Sequence, residues 1–357
     1  MIPRTLTQNT DWKNELRQAV TRPEHLLELL DLPRSRWLNA AKQAAQLFPL
    51  KVPLGFVRRM QKGNPLDPLL LQVLPLGLEL EEHAEFCTDP VGDGPSTPMP
   101  GLIHKYQQRA LVITTGACAV NCRYCFRRHY PYNESVASNS RIEQIIRYLR
   151  THQEVNEVIL SGGDPLMLDD HRLGDLLRRI ASIDHVQWLR LHSRLPIVLP
   201  ERITQGLLQQ LNTIKPVTMV IHCNHPNELD DPVKLALQEL DGTGIRLYNQ
   251  SVLLKGVNDD AETLCELSHA LFSNRVQPYY LHVLDRVQGA AHFDLEAHRV
   301  ASIYRQLQAR LSGLMLPRLV REEAGAPSKT LINIDGLPKT MENKRTHRSA
   351  APDNITD

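Results

Sequence analysis

The sequence predicts an α/β fold in which a parallel sheet is covered by helices and preceded by a helical N-terminal region. From residue 110 onward, short apolar segments rich in β-branched residues alternate with longer amphipathic segments, which gives six strand-then-helix units. Residues 1–95, in contrast, have helical periodicity and few strand-like runs. Nearly continuous apolar strands separated by helices are typical of a parallel sheet buried on both faces. Six units fit either an open barrel or a doubly wound sheet, and periodicity alone does not choose between them.

Length and charge exclude several classes of protein. The chain of 357 residues has 41 Lys+Arg and 40 Asp+Glu, so its formal net charge is +1. This balance gives no global electrostatic attraction to nucleic acid or to an anionic membrane. No segment approaches the roughly 20 apolar residues of a membrane span, and the N-terminal residues lack the apolar region of a secretory signal. We therefore expect a cytoplasmic protein with no direct nucleic-acid partner and no membrane partner.

The N-terminal region is predicted to consist of helices. Helical periodicity or composition covers 12–20, 25–30, 34–48 and 54–62. The segment 88–100, which contains four prolines and two glycines, is expected to be a linker. The predicted division of the chain is a helical N-terminal region at 1–95, a core at 96–316, a C-terminal segment at 317–335 and a polar, disordered tail at 336–357.

Within the core, each predicted strand is followed by a predicted helix. The strands are 110–115, 157–160, 187–192, 217–222, 246–254 and 277–283, and the helices are 141–152, 170–183, 201–214, 232–240, 261–274 and 295–311. A further edge strand is expected at 318–321. In either sheet architecture, ligands bind at the carboxyl ends of the strands and in the loops that follow them.

Three of the six cysteines form the most distinctive pattern of the chain. Cys118, Cys122 and Cys125 have C-x3-C-x2-C spacing and directly follow the first predicted strand of the core. A loop at this position can place three thiolates on one side of a metal centre, and thiolates bind both iron–sulfur clusters and zinc. The spacing leaves open an iron–sulfur cluster, a Cys3His zinc site completed by His129, and reactive or inert thiols.

The cysteine spacing, with Tyr124 just before the third cysteine, resembles the signature of radical S-adenosylmethionine (radical SAM) enzymes, and the following units resemble that family's partial (β/α)6 barrel. The resemblance implies a [4Fe–4S] cluster whose open iron binds S-adenosylmethionine. It also implies that Ser161, Gly162, Gly163 and Asp164, after the second strand, approach the methionine amino group. On its own, this run would be assigned to a turn.

Motifs outside the cysteine loop narrow the resemblance to the lysine 2,3-aminomutases. The match runs from about residue 64 to residue 330 and includes 104–109, 125–128, 192–196, 249–251, 278–280 with Asp285, and 327–330. Within this family, the chain looks most like the shorter bacterial members that make β-lysine for modification of elongation factor P. No cysteine follows Cys265, so the chain cannot form the C-terminal zinc-binding group of the longer catabolic members.

The aminomutases use pyridoxal phosphate, and the resemblance implies which residues would bind it. Lys329 matches the catalytic lysine that forms an imine with this coenzyme. Arg109 matches a coenzyme contact, and Lys105 occupies a nearby basic position that could serve the phosphate. His192 and Gln250 are further expected cofactor contacts. Without the resemblance, Lys329 would be assigned as a solvated loop lysine and Lys105 as ordinary basic surface.

The resemblance also implies a pocket with opposite charges for the two ends of a lysine substrate. Arg127 matches the position that binds the substrate carboxylate, where a guanidinium can form two parallel hydrogen bonds. Asp285 matches one of two acidic positions that bind the ε-ammonium group, and Glu322 stands where the family has Asp. The longer side chain of Glu322 keeps the charge but changes the reach by one methylene. A surface ion pair is the alternative assignment for each carboxylate.

The implied reaction is conversion of L-lysine to β-lysine, with the R form expected, by a radical that removes a β hydrogen and allows the amino group to migrate. A downstream ligase acting on elongation factor P is the implied acceptor of the product. A homodimer is compatible with the helical N-terminal region. One alternative is a catabolic lysine 2,3-aminomutase, and another is an aminomutase acting on a different amino acid, such as glutamate, whose second carboxylate Asp285 and Glu322 would repel. A third is a zinc-stabilised binding protein or nucleic-acid module.

Overall fold

The computed structural model describes residues 11–135 and 139–334. In this part of the chain, the helices that precede the sheet are α1 (Trp12–Arg17), α2 (Pro23–Leu29), α3 (Arg34–Leu47), α4 (Leu54–Val57) and α5 (Pro68–Leu71). Leu27 and Phe56 of these helices are fully buried in the same apolar cluster as Val158 and Leu160 of the sheet. The N-terminal helices therefore share their core with the α/β part of the molecule.

The strands of the described residues form one sheet in chain order. They are β1 (Leu102–Tyr106), β2 (Arg109–Thr115), β3 (Glu157–Gly162), β4 (Trp188–Ser193), β5 (Val217–His222), β6 (Arg246–Val252), β7 (Val276–His282), β8 (Arg318–Arg321) and β9 (Thr330–Leu331). Strands β2 to β8 are parallel, whereas β1 and β9 pair antiparallel with β2 and β8. The strand order never reverses, so the sheet is an open barrel and not a doubly wound sheet.

Helices connect the parallel strands and cover them. They are α6 (Tyr132–Ser135), α7 (Asn139–Thr151), α8 (Asp170–Ala181), α9 (Leu195–Val198), α10 (Gln205–Leu211), α11 (Asp231–Asp241), α12 (Ala261–Ser273) and α13 (Ala297–Arg310). Asp169, Asp230 and Asp260 accept backbone N–H bonds at the starts of α8, α11 and α12. Leu173 and Leu177 lie on the fully buried face of α8.

The six predicted core strands are confirmed as β2 to β7, and the predicted edge strand is confirmed as β8. The sequence prediction missed β1. This strand forms a hairpin with β2, in which Ile103 pairs with Leu111 and Tyr106 pairs with Arg109. Three of its five residues are polar or aromatic, so its apolar signal is weak.

Two predicted helices differ from the structure. The prediction of one helix over 201–214 is wrong in its first part, where a 3-10 turn at Pro200–Arg202 precedes α10. The buried Arg202 side chain donates to the carbonyl of Leu166 at 2.6 Å. The Thr204 side chain then accepts from the Leu207 N–H and begins α10. The helix expected over 54–62 ends at Val57 and continues as turns.

The segment 88–100 is not an exposed linker. It forms a series of turns in which Val91 and Asp93 are both only 2% exposed. The Asp89 carboxylate accepts the backbone N–H groups of Asp93 and Gly94, each at 2.9 Å, and this holds the turns together. The segment therefore packs as part of the α/β unit.

The predicted tail at 336–357 lies outside the described residues, so its disorder stays a prediction. Within the described ranges, no helix combines the length and the apolar character needed to cross a membrane.

Candidate functional site

One cavity of about 270 Å³ collects the predicted site residues. Its lining includes residues from the cysteine loop, from the ends of several strands and from the chain after β8. The predicted members are Lys105, Arg109, Cys118, Cys122, Cys125, Arg127, Ser161, Gly162, Gly163, Asp164, His192, Gln250, Asp285, Glu322 and Lys329. The fold thus places residues that are more than 200 positions apart around one space, although their individual roles remain predictions.

The cysteine loop, residues 118–125, begins three residues after β2 ends. A tight turn brings the Cys125 N–H to the Cys122 carbonyl at 3.0 Å. The guanidinium of Arg194, which follows β4, donates to the Cys122 sulfur at 2.7 Å. Burial raises the pKa of Cys118 well above its usual value and raises that of Cys125 to about 11. A cationic centre bound here must therefore displace thiol protons.

The arrangement of possible metal ligands bears on which centre this loop could hold. Within 11–135 and 139–334, no three or more His, Cys, Asp or Glu side chains converge on the position of a single metal ion. A [4Fe–4S] cluster does not need such convergence, because each cysteine sulfur binds a different iron. His129, the fourth ligand of the zinc alternative, contacts the Gln288 carbonyl at 3.2 Å and does not line the cavity.

Two glycines allow the end of β3 to pack against the chain that enters the cysteine loop. Gly162 has φ +122°, and a Cβ atom there would lie 2.6 Å from the Thr115 carbonyl oxygen. A Cβ atom on Gly163 would lie 2.3 Å from the Ala117 carbonyl oxygen. The Gly163 N–H instead donates to Thr115 at 2.7 Å. A larger residue would force apart the two segments that shape this end of the cavity.

The neighbouring Asp164 is used mainly to brace the loop after β4. Its carboxylate accepts from the Ser193 hydroxyl at 2.8 Å and from the backbone N–H groups of Arg194 and Leu166 at 2.7 and 3.0 Å. Burial raises the pKa of Asp164 to about 6 despite these hydrogen bonds. The side chain of Asp164 already binds protein groups. Its contact with a cofactor stays a prediction.

Five side chains of alternating charge form a charged wall along the cavity: Arg127, Asp93, Lys105, Glu322 and Lys329. Asp93 contacts the Arg127 Nε and the Lys105 Nζ, each at 2.7 Å. Glu322 forms an ion pair with Lys329 and a longer one with Lys105 at 3.4 Å. Burial opposes ionisation of both carboxyls, but the nearby cations lower the pKa of Asp93 and lower that of Glu322 to about 2.

Three further buried groups of the cavity lining present unpaired polar atoms. Among the described residues, the Oδ1 of Asp285 and the Nε2 atoms of His192 and His282 have no hydrogen-bond partner. Burial raises the pKa of Asp285 to about 7 and lowers that of His282 to about 3. Buried polar atoms are rarely left unpaired in proteins, so these three favour binding of a polar ligand in the cavity.

Arg109 and Gln250 complete the predicted cofactor contacts. The guanidinium of Arg109 lies 4.5 Å from the centre of the Tyr106 ring, and the Tyr106 hydroxyl donates to Glu322 at 2.8 Å. This hydrogen bond joins β1 to the chain after β8, across the opening of the barrel. Gln250 lies on β6 beside His222 of β5 and Tyr280 of β7.

Sequence reasoning missed Asp93, Arg194 and His282. Asp93 lies in the segment that was expected to be a linker, where turn residues hide any functional signal. Arg194 and His282 lie at the carboxyl ends of β4 and β7, where ligands bind in parallel sheets. That position was the signal that could have identified the latter two.

The chain resembles known proteins over most of its length. Residues 112–267 match the Radical SAM superfamily. The chain is 48% identical over 326 residues to the L-lysine 2,3-aminomutase of Escherichia coli (strain K12). The aligned residues are 91% of this chain and 95% of that protein. It is 45% identical to the L-lysine 2,3-aminomutase of Haemophilus influenzae, over 91% of this chain and 96% of that protein.

A more distant relative is longer. The L-lysine 2,3-aminomutase of Clostridium subterminale is 34% identical over 321 residues, which are 90% of this chain but 77% of that protein. The chain therefore matches nearly the whole length of the first two relatives and leaves about a quarter of the third unmatched.

Proposed function

This chain belongs to the L-lysine 2,3-aminomutase family of radical SAM proteins, and we propose that it converts L-α-lysine to β-lysine in the cavity described above. As a radical SAM isomerase of this family, it uses a [4Fe–4S] cluster and S-adenosylmethionine. The observation that carries the proposal is the placement of Arg127, Asp285 and Glu322 in the same cavity as the three cysteines. A cation and two carboxylates match the charges at the two ends of lysine.

Three cofactors would be held by different parts of the cavity lining. Cys118, Cys122 and Cys125 would bind the cluster, and the backbone of the segment 161–163, with His192 and Gln250, would contact S-adenosylmethionine. Lys329 would bind pyridoxal phosphate, with Arg109 and Lys105 near its phosphate. When bound, these groups supply a radical that removes a β hydrogen and a carbonyl that carries the migrating amino group. The residues of this chain supply binding, orientation and exclusion of water.

Arg127 would bind the substrate carboxylate. Its Nε atom is already occupied by Asp93, and its Nη1 atom lies 3.4 Å from the Ser161 hydroxyl on the cavity lining. The terminal nitrogens of a guanidinium can form two parallel hydrogen bonds with a carboxylate. Arg127 therefore fixes the end of the substrate whose α and β carbons react.

Asp285 and Glu322 would bind the ε-ammonium group. No group among the described residues forms a hydrogen bond with the Oδ1 of Asp285, and Glu322 is paired with Lys329. Attachment of pyridoxal phosphate to Lys329 would remove the ammonium that Glu322 now binds and leave this carboxylate available for the substrate. The longer reach of Glu322 fits this exchange of partners, because it contacts Lys329, Lys105 and Tyr106 at once.

We further propose that the product is (R)-β-lysine and that a cytoplasmic ligase transfers it to elongation factor P. The match in length supports assignment to the shorter members of the family. The chain matches 95% of the Escherichia coli relative but 77% of the Clostridium subterminale relative.

The proposed function is tested by anaerobic incubation of the protein with L-lysine, S-adenosylmethionine, pyridoxal phosphate and a reductant, with products separated by chirality. We expect (R)-β-lysine, and no β-amino acid when L-glutamate replaces lysine. Absence of β-lysine of either hand would contradict the proposed reaction. Formation of the S product alone would leave the reaction in place and contradict the proposed stereochemistry and acceptor.

A further inference from the structure

Asp93 is a buried carboxylate to which neither the sequence motifs nor the proposed reaction assigns a role. Its side chain is 3% exposed and lines the cavity. Its two oxygens contact two different cations, the Arg127 Nε and the Lys105 Nζ, each at 2.7 Å. A carboxylate between two cations stabilises both charges in a site from which water is largely excluded.

The backbone around Asp93 fixes the position of this carboxylate. Its N–H donates to Asp89 at 2.9 Å, and its carbonyl accepts from the Thr97 hydroxyl at 2.7 Å and from the Ser96 N–H at 3.2 Å. Asp93 is therefore anchored independently of the two cations that it contacts. An anchored group can set the orientation of a long side chain such as that of Arg127.

The contact of Asp93 with Arg127 uses the Nε side of the guanidinium. The planar group has five N–H donors in a fixed geometry, so holding Nε also fixes where the terminal nitrogens point. The Arg127 guanidinium also lies 4.8 Å from the Phe126 ring centre, which limits its tilt. Asp93 occupies Nε and does not use the terminal nitrogens of Arg127, of which Nη1 has a long contact with the Ser161 hydroxyl at 3.4 Å. These nitrogens can therefore bind a second carboxylate, that of a substrate.

We propose that Asp93 is a positioning residue that orients Arg127 for bidentate binding of the substrate carboxylate. This inference rests on the proposed function, in which lysine is the substrate. Arg127 and Lys105 lower the pKa of Asp93 despite its burial. Lys105 is also held by the Val91 carbonyl at 2.7 Å. Loss of the Asp93 charge should therefore disturb Arg127 more than Lys105, and it should weaken recognition of the carboxylate more than recognition of the ε-ammonium group.

The test compares binding of two ligands that differ only at the carboxylate, L-lysine and L-lysine amide. Calorimetric titrations use the intact protein with its cluster and pyridoxal phosphate. For Asp93→Asn, we expect lysine affinity to fall about 10- to 50-fold, because a charge-assisted contact is lost. The affinity for lysine amide should change less than about threefold. Iron content, sulfide content and S-adenosylmethionine binding should match those of the unmodified protein.

Lysine affinity of a double variant distinguishes an effect of Asp93 through Arg127 from a general structural effect. If Asp93 acts through Arg127, then Asp93→Asn should cause no further loss of lysine affinity in an Arg127→Ala background. Asp93→Glu retains the charge and should keep most of the preference for lysine over its amide. If Asp93→Asn fails to fold, the preference for lysine over its amide is measured in Asp93→Glu instead.

Asp230→Asn is the matched control, because Asp230 pairs with the buried Arg59 at 3.0 Å outside the cavity. It should leave the preference between the two ligands unchanged. Equal losses of lysine and lysine amide affinity in Asp93→Asn, or additive losses with Arg127→Ala, would overturn the proposal. Turnover by the unmodified protein is measured separately. Failure to form β-lysine there would contradict the proposed function, while the two-ligand comparison would still decide the role of Asp93.

Discussion

The cysteine loop and the charged wall line the same cavity but are assembled in different ways. Cys118, Cys122 and Cys125 lie within eight consecutive residues. The members of the wall come from segments as far apart as Asp93 and Lys329. Local spacing alone therefore singles out the three cysteines as candidate metal ligands, whereas the charge pattern of the wall exists only after the barrel has folded.

The two regions also differ in how their charge is balanced. Burial raises the pKa of the Cys125 thiol to about 11, so this side chain would lose its proton when a metal centre binds. In the wall, three cations surround two carboxylates, and each carboxylate contacts two of the cations. Loss of Cys118, Cys122 or Cys125 should therefore remove function completely. Loss of a charge in the cavity should give graded effects, except at Lys329, which would also bind the coenzyme.

The largest effect is expected for Cys125→Ala. Without one of its three cysteine ligands, the cluster should not be retained, and β-lysine formation should fall at least about 1,000-fold. Iron and acid-labile sulfide analysis after anaerobic purification checks this result. Cys87→Ala, which changes an exposed cysteine outside the cavity, should retain both the iron and the activity. Full iron content in Cys125→Ala would show that Cys125 is not a ligand of the cluster.

Lys329→Ala should abolish activity while leaving the cysteine loop intact. The variant lacks the amine that would bind pyridoxal phosphate, so the visible absorbance of the protein-bound coenzyme should disappear. Iron and sulfide content should stay normal, which separates the two regions experimentally. Lys255→Ala, at an exposed position, is the control. Retention of the absorbance in Lys329→Ala would place the coenzyme on another lysine.

Asp285→Asn should change both lysine binding and its dependence on pH. Because the pKa of Asp285 in the substrate-free protein is about 7, lysine affinity should fall about tenfold for each pH unit below 7. The variant should bind lysine at least about 100-fold more weakly at pH 8 and lose this slope. Titrations between pH 5.5 and 8.5 measure both quantities. If lysine affinity in the variant keeps the same pH dependence, the titrating group is not Asp285.

Ionisation of Asp285 should strengthen lysine binding but lower the stability of the folded protein. A raised folded-state pKa means that the contribution of Asp285 to stability is fully present below its unfolded pKa of 3.8 and is lost as pH rises towards 7. Asp285→Asn avoids this loss. At pH 8, the variant should be more stable than the unmodified apoprotein by up to about 4 kcal/mol. Denaturant unfolding at pH 5 and pH 8 provides the comparison.

The smallest effect is expected for Gly163→Ala, which alters the packing beneath the cysteine loop and removes no ligand. The added Cβ would lie 2.3 Å from the Ala117 carbonyl oxygen, so the backbone must shift at a cost of about 1–3 kcal/mol. We expect a lower free energy of unfolding and a partial loss of iron. Gly313→Ala has no atom within 4 Å of the new Cβ and should change neither.

Much of the fold follows from local sequence patterns. The strands β2 to β8 were predicted because their apolar runs are interrupted by amphipathic helices. The choice of an open barrel needed the strand order, which no local pattern contains. The prediction missed β1 because His104, Lys105 and Tyr106 weaken its apolar signal.

The candidate site was predictable only in part, for a related physical reason. Cys118, Cys122 and Cys125 are close in sequence, so their spacing is informative without a structure. Asp93 could not be identified from sequence, because its importance depends on meeting Arg127 and Lys105 in space. A carboxylate in a segment rich in proline and glycine is ordinary in a turn.

The central claim is that the cysteine loop and the charged wall act on one substrate in one cavity. The most direct test is anaerobic incubation with L-lysine deuterated at the β carbon, followed by mass spectrometry of 5′-deoxyadenosine and S-adenosylmethionine. The account predicts that deuterium from lysine appears in the adenosyl group, because the radical formed beside the cysteines removes the β hydrogen of lysine held by Arg127 and Asp285. Formation of β-lysine or 5′-deoxyadenosine without deuterium transfer would contradict it.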